Sequence, residues 1–177
     1  MKKYFAILPL ILLMACSGNT NKVVDPKDSV AKTENTSTVV QPTFKDQKVA
    51  AIYANYLQLK DALVATKDAE AKAAAKELIP ELKSYTGCEN TAIIAEQISN
   101  AKDIVAQRKE FTALSKDIIA LFKNADLTSG TVYVQHCPMA NNGDGGDWLA
   151  SEKKIQNPYY GKDMLECGAV VAEIKAK

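Results

Sequence analysis

Four sulfur-bearing side chains fall into two short stretches near the C-terminal end, Cys137 and Met139 in "VYVQHCPMANN" and Met164 and Cys167 in "MLEC". Two thiolates and two thioethers make a soft donor set, which a closed-shell soft ion such as Cu(I) prefers to carboxylate or carbonyl oxygen. Zinc would ask for histidines or more cysteines, and His136 is the chain's one histidine. In an extended strand successive side chains point to opposite faces, so His136 and Cys137 diverge while Cys137 and Met139 share a side. Pro138 keeps Cys137 extended. Met164 and Cys167, three residues apart, share one side of a helical turn. If the two stretches meet, the candidate ligands are Cys137, Met139, Met164 and Cys167, with His136 as a fifth or replacement ligand. The same two cysteines have a competing chemistry, a Cys137–Cys167 disulfide pinning two strands with the methionines as core filler.

Catalysis is the poorer expectation, and we read the chain as a binding protein and not an enzyme. A cysteine nucleophile needs a base within hydrogen-bonding reach, and the sole histidine is the neighbour that points away. No nucleophile elbow, paired-histidine zinc motif or phosphate-binding glycine loop occurs. "NNGDGGD", residues 141 to 147, has the glycines of a calcium loop without its spaced acids or closing glutamate, so it reads as a solvated turn. Trp148, Tyr159 and Tyr160 are expected to cover the open end of the helical part. Cys88 stands far from the other cysteines and has no partner that sequence alone can name.

The N-terminus reads as an export signal over residues 1–15, with Lys2 and Lys3 ahead of an apolar run too short to span a bilayer. Leu13-Met14-Ala15-Cys16 resembles the lipobox of bacterial lipoproteins, which implies that Cys16 is lipidated, palmitate included, and becomes the mature N-terminus. Multiple acyl chains would anchor the body to a membrane outside the cytoplasm, and Ser17 fits an outer membrane facing the periplasm. Loss of the two signal lysines leaves 20 basic residues from 22 against 21 acidic ones. That balance offers no case for nucleic acid. Setting Cys16 aside leaves Cys88, Cys137 and Cys167, an odd number, so one thiol at least is unpaired, metal-bound or paired between molecules. Residues 16–43, rich in Ser, Thr and Asn, read as a lipidated cysteine followed by a disordered tether. Residues 44–177 then form one folded domain.

Apolar residues at helical spacing predict a helix from near Phe44 to Thr66 and a second from Asp68, its N-cap, to Tyr85, kinked or restarted at Pro80. After the "TGCEN" turn, capped at Asn90 or Thr91, helix continues to about Asn124 with a break near Ser99-Asn100; its stripe is Ile94, Ile98, Ala101, Val105, Phe111, Leu114, Ile118 and Leu121. Short connections make this an antiparallel bundle of three or four helices over 44–125. In the Cys/Met-rich segment 131–175, "TVYVQHC" and "CGAVVAEI" read as a strand pair joined by a long ordered loop. The fold class is therefore α+β.

"YANYLQLKDALVATKD", "QRKEFTALSKDI", "YVQHCPMA" and "DWLASEKKIQNPYYGKDMLECG" together resemble a domain of unknown function found in small bacterial lipoproteins and at the C-terminus of periplasmic adaptor subunits of heavy-metal efflux pumps, over about residues 47–174. The resemblance implies periplasmic copper or related metal handling, with an efflux adaptor or pump as partner. Cys137-Pro138-Met139 is also similar to the C-P-M-H metal motif of such pumps, with Ala140 in place of the histidine.

Overall fold

The structure, a computed structural model, describes residues 40–176; the expected signal peptide, Cys16 and the tether up to residue 39 lie outside the described residues. Four helices come first: α1 Gln47–Val64, α2 Asp68–Ser84, α3 Glu89–Asn100 and α4 Ile104–Lys123. Connections of three or four residues turn each helix back on the one before it. The pairing is visible in polar contacts: Lys48 Nζ near the start of α1 donates to the Ser84 carbonyl at the end of α2 (2.9 Å), and Thr91 early in α3 meets Asp117 late in α4 (3.1 Å). The expected antiparallel bundle is present with four members.

Local chemistry sets the helix starts. Asp46 caps α1 by accepting from the Lys48 N–H, and Asp103 caps α4 by accepting from the Ala106 N–H at 2.8 Å. Two expected caps are not used. Lys67, not Asp68, occupies the cap position of α2, and Cys88 precedes α3 where Asn90 or Thr91 was expected, both without a side-chain bond. In the turn before α3, Glu89 accepts from the Gly87 N–H instead. Pro80 does not restart α2, which runs unbroken through it. Pro80 and Lys76 lie on the exposed side, where the carbonyl that proline leaves unpaired can meet water, and Leu78 and Leu82 on the other side are fully buried.

The break before α4 shifts the phase of the apolar stripe. Ile98, Phe111, Leu114 and Ile118 are buried as expected, but Val105 is 71% exposed. The helix ends at Asn100 and begins again behind Asp103, so the 3.6-residue count does not carry across the gap.

Five strands complete the domain: β1 Thr43–Phe44, β2 Leu127–Ser129, β3 Thr131–Cys137, β4 Gly146–Ala150 and β5 Ala169–Lys175. β1 and β2 form a small antiparallel pair, so Thr43, the last residue assigned to the tether, is already paired, with Ser129. Phe44 packs its ring on Tyr53 and Phe122 at 5.2 Å from each. The expected strand pair β3 and β5 is present, and the segment read as loop supplies β4 to make a three-stranded antiparallel sheet ordered β4-β3-β5. "GDWLA" is too short and too glycine-flanked to declare itself as a strand by alternation, and its pairing to β3 decides it.

β4 is an edge strand, and one of its groups is met by a helix residue. Tyr56 Oη, fully buried on α1, accepts the Leu149 N–H at 3.1 Å and hydrogen-bonds Ser115 Oγ of α4 at 2.8 Å. Burial raises the Tyr56 hydroxyl's pKa well above the usual tyrosine range, so it stays protonated and keeps both roles. Replacing Tyr56 with Phe leaves a buried N–H and a buried hydroxyl short of a partner. A loss of about 1–3 kcal/mol in urea unfolding is expected; an unchanged midpoint would mean that the hydroxyl does not tie sheet to bundle.

Candidate functional site

Register on β3 sorts the side chains. Tyr133, Gln135 and Cys137 share one face with Ala150, Trp148 and Gly146 of β4, and Val132, Val134 and His136 share the other with Leu149 and Asp147. The divergence of His136 from Cys137 is therefore present. His136 Nδ1 meets Asp147 Oδ1, its cross-strand neighbour, at 2.7 Å, with the imidazole over Gly145. The histidine expected as a fifth or replacement ligand is engaged on the face away from the Cys137 thiol.

The face that carries Cys137 is covered by residues 151–168. Gln135 Nε2 donates to the carbonyls of Glu152 and Lys154 at 2.8 and 3.2 Å, anchoring the start of this strap. Trp148, fully buried, lies beneath it with Tyr159 at 6.1 Å between ring centroids, edge on. At the far end the strap brings in Cys167. The Cys137 and Cys167 sulfurs stand 2.6 Å apart, well inside van der Waals contact, from positions thirty residues apart in sequence. No bond joins the two sulfurs; Cys137 is fully buried and Cys167 half-buried.

The methionines behave differently from expectation. β3 ends at Cys137, and the Ala140 N–H bonds back to the Cys137 carbonyl at 3.3 Å, so residues 138–140 turn and strand alternation stops. Met139 is 53% exposed and does not share the buried side of Cys137. Its backbone carbonyl accepts from the Tyr160 hydroxyl at 2.5 Å. Met164 is half-buried, and its carbonyl accepts the Cys167 N–H at 3.0 Å, closing the expected three-residue turn. Among the described residues no three side chains of the His, Cys, Asp and Glu types gather in ligating geometry. A tetrahedral zinc site would have only the two thiols to build on.

The Cys167 thiol has its pKa raised, first by its hydrogen bond with Cys137 and then by burial, with the Met139 N–H pulling the other way. Cys88 is the odd cysteine of the count: buried at the start of α3, its thiol pushed up by burial and by Glu89 and Asp117, away from the pair. Trp148 and Tyr159 are buried and Tyr160 half-buried, as core cover, and the turn 141–147 makes internal hydrogen bonds of its own.

The residues that hold the strap were not visible as functional in the sequence. Asn157 is fully buried, and Arg108 of α4 donates to the carbonyls of Pro158 (2.8 Å) and Leu63 (2.9 Å) and to Thr66 Oγ1 (3.0 Å). The only signal for Asn157 was its place ahead of proline in "NPYYG".

Residues 52–130 match the model of a family described as "Protein of unknown function (DUF3347)", a span that covers most of the bundle through β2 and stops short of β3 and both cysteines of the pair. The expected link to lipoproteins and efflux adaptors is no part of that match. No curated protein and no solved structure gives a match.

Gly168 tests how tightly the strap's end is seated. Its φ is +143°, and a Cβ there would lie 2.8 Å from the His136 carbonyl oxygen and 3.0 Å from the Trp148 ring. Gly168→Ala is expected to cost about 1–3 kcal/mol in denaturant unfolding. Wild-type stability in that variant would show that residues 167–169 are not held against β3 and Trp148.

Proposed function

We propose that the chain is a lipid-anchored module of the bacterial cell envelope that binds a soft closed-shell ion, Cu(I), on the thiolates of Cys137 and Cys167. The observation that carries this reading is the convergence of two thiol sulfurs to 2.6 Å beneath a strap, one of them reachable from solvent. Two thiolates suffice for a soft ion that accepts low coordination, whereas zinc needs four donors. With metal–thiolate bonds of roughly 2.3 Å, loading moves the sulfurs apart by about 1–2 Å, a shift that the turn carrying Cys167 would absorb. In this reading Met164, three residues before Cys167 on that turn, adds a thioether, and the exposed Met139, two residues after Cys137, serves as an entry ligand. Anchoring through Cys16 would keep the module at the membrane, on the outer membrane's periplasmic side. Service to metal homeostasis or to a heavy-metal efflux adaptor follows from the resemblance stated above. No helix among the described residues is long and apolar enough to cross a membrane, so attachment in this reading falls to the lipid.

A second reading is favoured by the same distance. Closing 2.6 Å to a sulfur–sulfur bond of roughly 2.05 Å needs less movement than admitting an ion. In an oxidising compartment the pair would then be a staple of a structural or interaction module.

Anaerobic titration of the reduced protein with Cu(I) separates the readings: one ion per chain is expected, lost in Cys137→Ser, Cys167→Ser. Binding unchanged in that double variant would end the metal reading. Each thiol must give up a proton on binding, and the Cys167 pKa is raised, so apparent affinity should climb with pH, on the order of tenfold per unit for each proton released. Quantitative Cys137–Cys167 bridging in protein taken directly from cells, read by alkylation and mass spectrometry, would favour the staple.

A further inference from the structure

The strap that delivers Cys167 is organised around one side chain. Asn157 is fully buried, and its amide Nδ2 donates to the Cys167 carbonyl at 2.9 Å. Its Oδ1 accepts the N–H of Tyr159 at 2.8 Å and of Tyr160 at 3.3 Å, folding the chain after Pro158 into a tight turn. Its own N–H donates to the Leu165 carbonyl, and its own carbonyl accepts the Gly161 N–H, both at 2.9 Å. One residue thus holds the turn 158–161 and the turn 164–167 against each other. The turn 158–161 is in turn fixed to the bundle, since Arg108 grips the Pro158 carbonyl together with the carbonyl of Leu63 at the end of α1. Gly161, at φ +58°, lets the chain pass beside that guanidinium where a side chain would not fit. The line of contacts runs from the helix ends through Arg108 and Asn157 to the backbone of Cys167. The Cys137 side of the pair needs no such brace, because Cys137 ends the central strand β3 and is paired there with Gly146 of β4.

From this geometry we propose that Asn157 is the positioning residue of the thiol pair: the bond from its amide to the Cys167 carbonyl sets the distance at which the two sulfurs meet, and hence how readily they act together. The inference rests on the paired-thiol reading of the site and specifies what controls it. It concerns the local equilibrium within the folded chain, so it separates from a role in stability. A variant that lowers stability elsewhere leaves the folded chain's sulfur–sulfur distance, and therefore its pairing constant, unchanged.

The experiment measures closure of the Cys137–Cys167 disulfide in the full chain against glutathione. Oxidised glutathione takes the two electrons and the two thiol protons and leaves as two molecules of reduced glutathione, while one protein sulfur–sulfur bond forms. The closed fraction is read by alkylation and mass, and retained folding is checked by near-ultraviolet circular dichroism. Asn157→Ser keeps an oxygen able to accept from the Tyr159 N–H but cannot reach the Cys167 carbonyl; Asn157→Asp keeps the size and replaces the donor with a carboxylate oxygen that repels that carbonyl. Whichever folds, its closure constant should fall by about tenfold or more, the change expected when one aligning hydrogen bond is lost from an otherwise fixed pair. Asp46→Ala, destabilised at the first turn of α1 by loss of its cap, should match the wild type. A folded Asn157 variant with the wild-type constant overturns the proposal, as does an equal fall in Asp46→Ala. Failure of the wild type itself to close would overturn it together with the paired-thiol reading. Because the readout contains no metal, a failed copper titration leaves it standing.

Discussion

The three-stranded sheet is too small to supply its own core, and what seats it is a row of aromatic rings running out of the bundle. Tyr56 of α1 stacks on Phe111 of α4 at 5.6 Å between centroids, Phe111 meets Tyr159 of the strap at 5.8 Å, and Tyr159 meets Trp148 of β4 at 6.1 Å. Each such contact adds about 0.5–1.5 kcal/mol beyond its buried area. The Tyr56 hydroxyl fixes the row at its inner end through Ser115 and the Leu149 N–H. At the outer end Tyr159 Oη donates to the Asp147 carbonyl at 2.9 Å, so the strap is tied to β4 as well as to α4. Bundle, sheet and strap therefore share a single hydrophobic core.

That core explains why two cysteines distant in sequence can meet. β3 is the central strand and presents Cys137 from its end, paired with β4, while the strap crosses over Trp148 and is held by buried amides, Gln135 near its start and Asn157 against Cys167. The outer strand β5 contributes little burial: most of its residues are exposed, Val171 at 57%. Its role is to continue the chain from Cys167 along β3. A pair built this way combines a fixed thiol with one on an adjustable turn. The arrangement suits either an ion that must be admitted or a bond that must form.

Much of the fold was legible in the sequence. The repeats around Ile52, Tyr56, Leu59 and Leu63 and around Phe111, Leu114 and Ile118 gave helices within a few residues of those observed, and "TVYVQHC" is β3 to the residue. Local rules failed where tertiary context decided. Pro80 is carried by a helix packed through Leu78 and Leu82, Val105 lost its stripe when Asp103 began a new helix, and β4 exists because β3 pairs with it. At the site, alternation rightly separated His136 from Cys137 but was extended two residues past the strand's end, which assigned the Met139 thioether to a side it does not take. Asn157 could not be found from spacing at all, because its importance lies in backbone groups that the fold brings to it.

In the proposed function Cys137 and Cys167 act as one two-sulfur centre, apart from His136. The most direct measurement is X-ray absorption at the copper edge of protein loaded anaerobically with one equivalent of Cu(I). Sulfur scatterers alone are expected around the ion, two thiolates with at most one thioether added. A nitrogen scatterer from His136, or sulfur scattering that persists when both cysteines are replaced by serine, would contradict this.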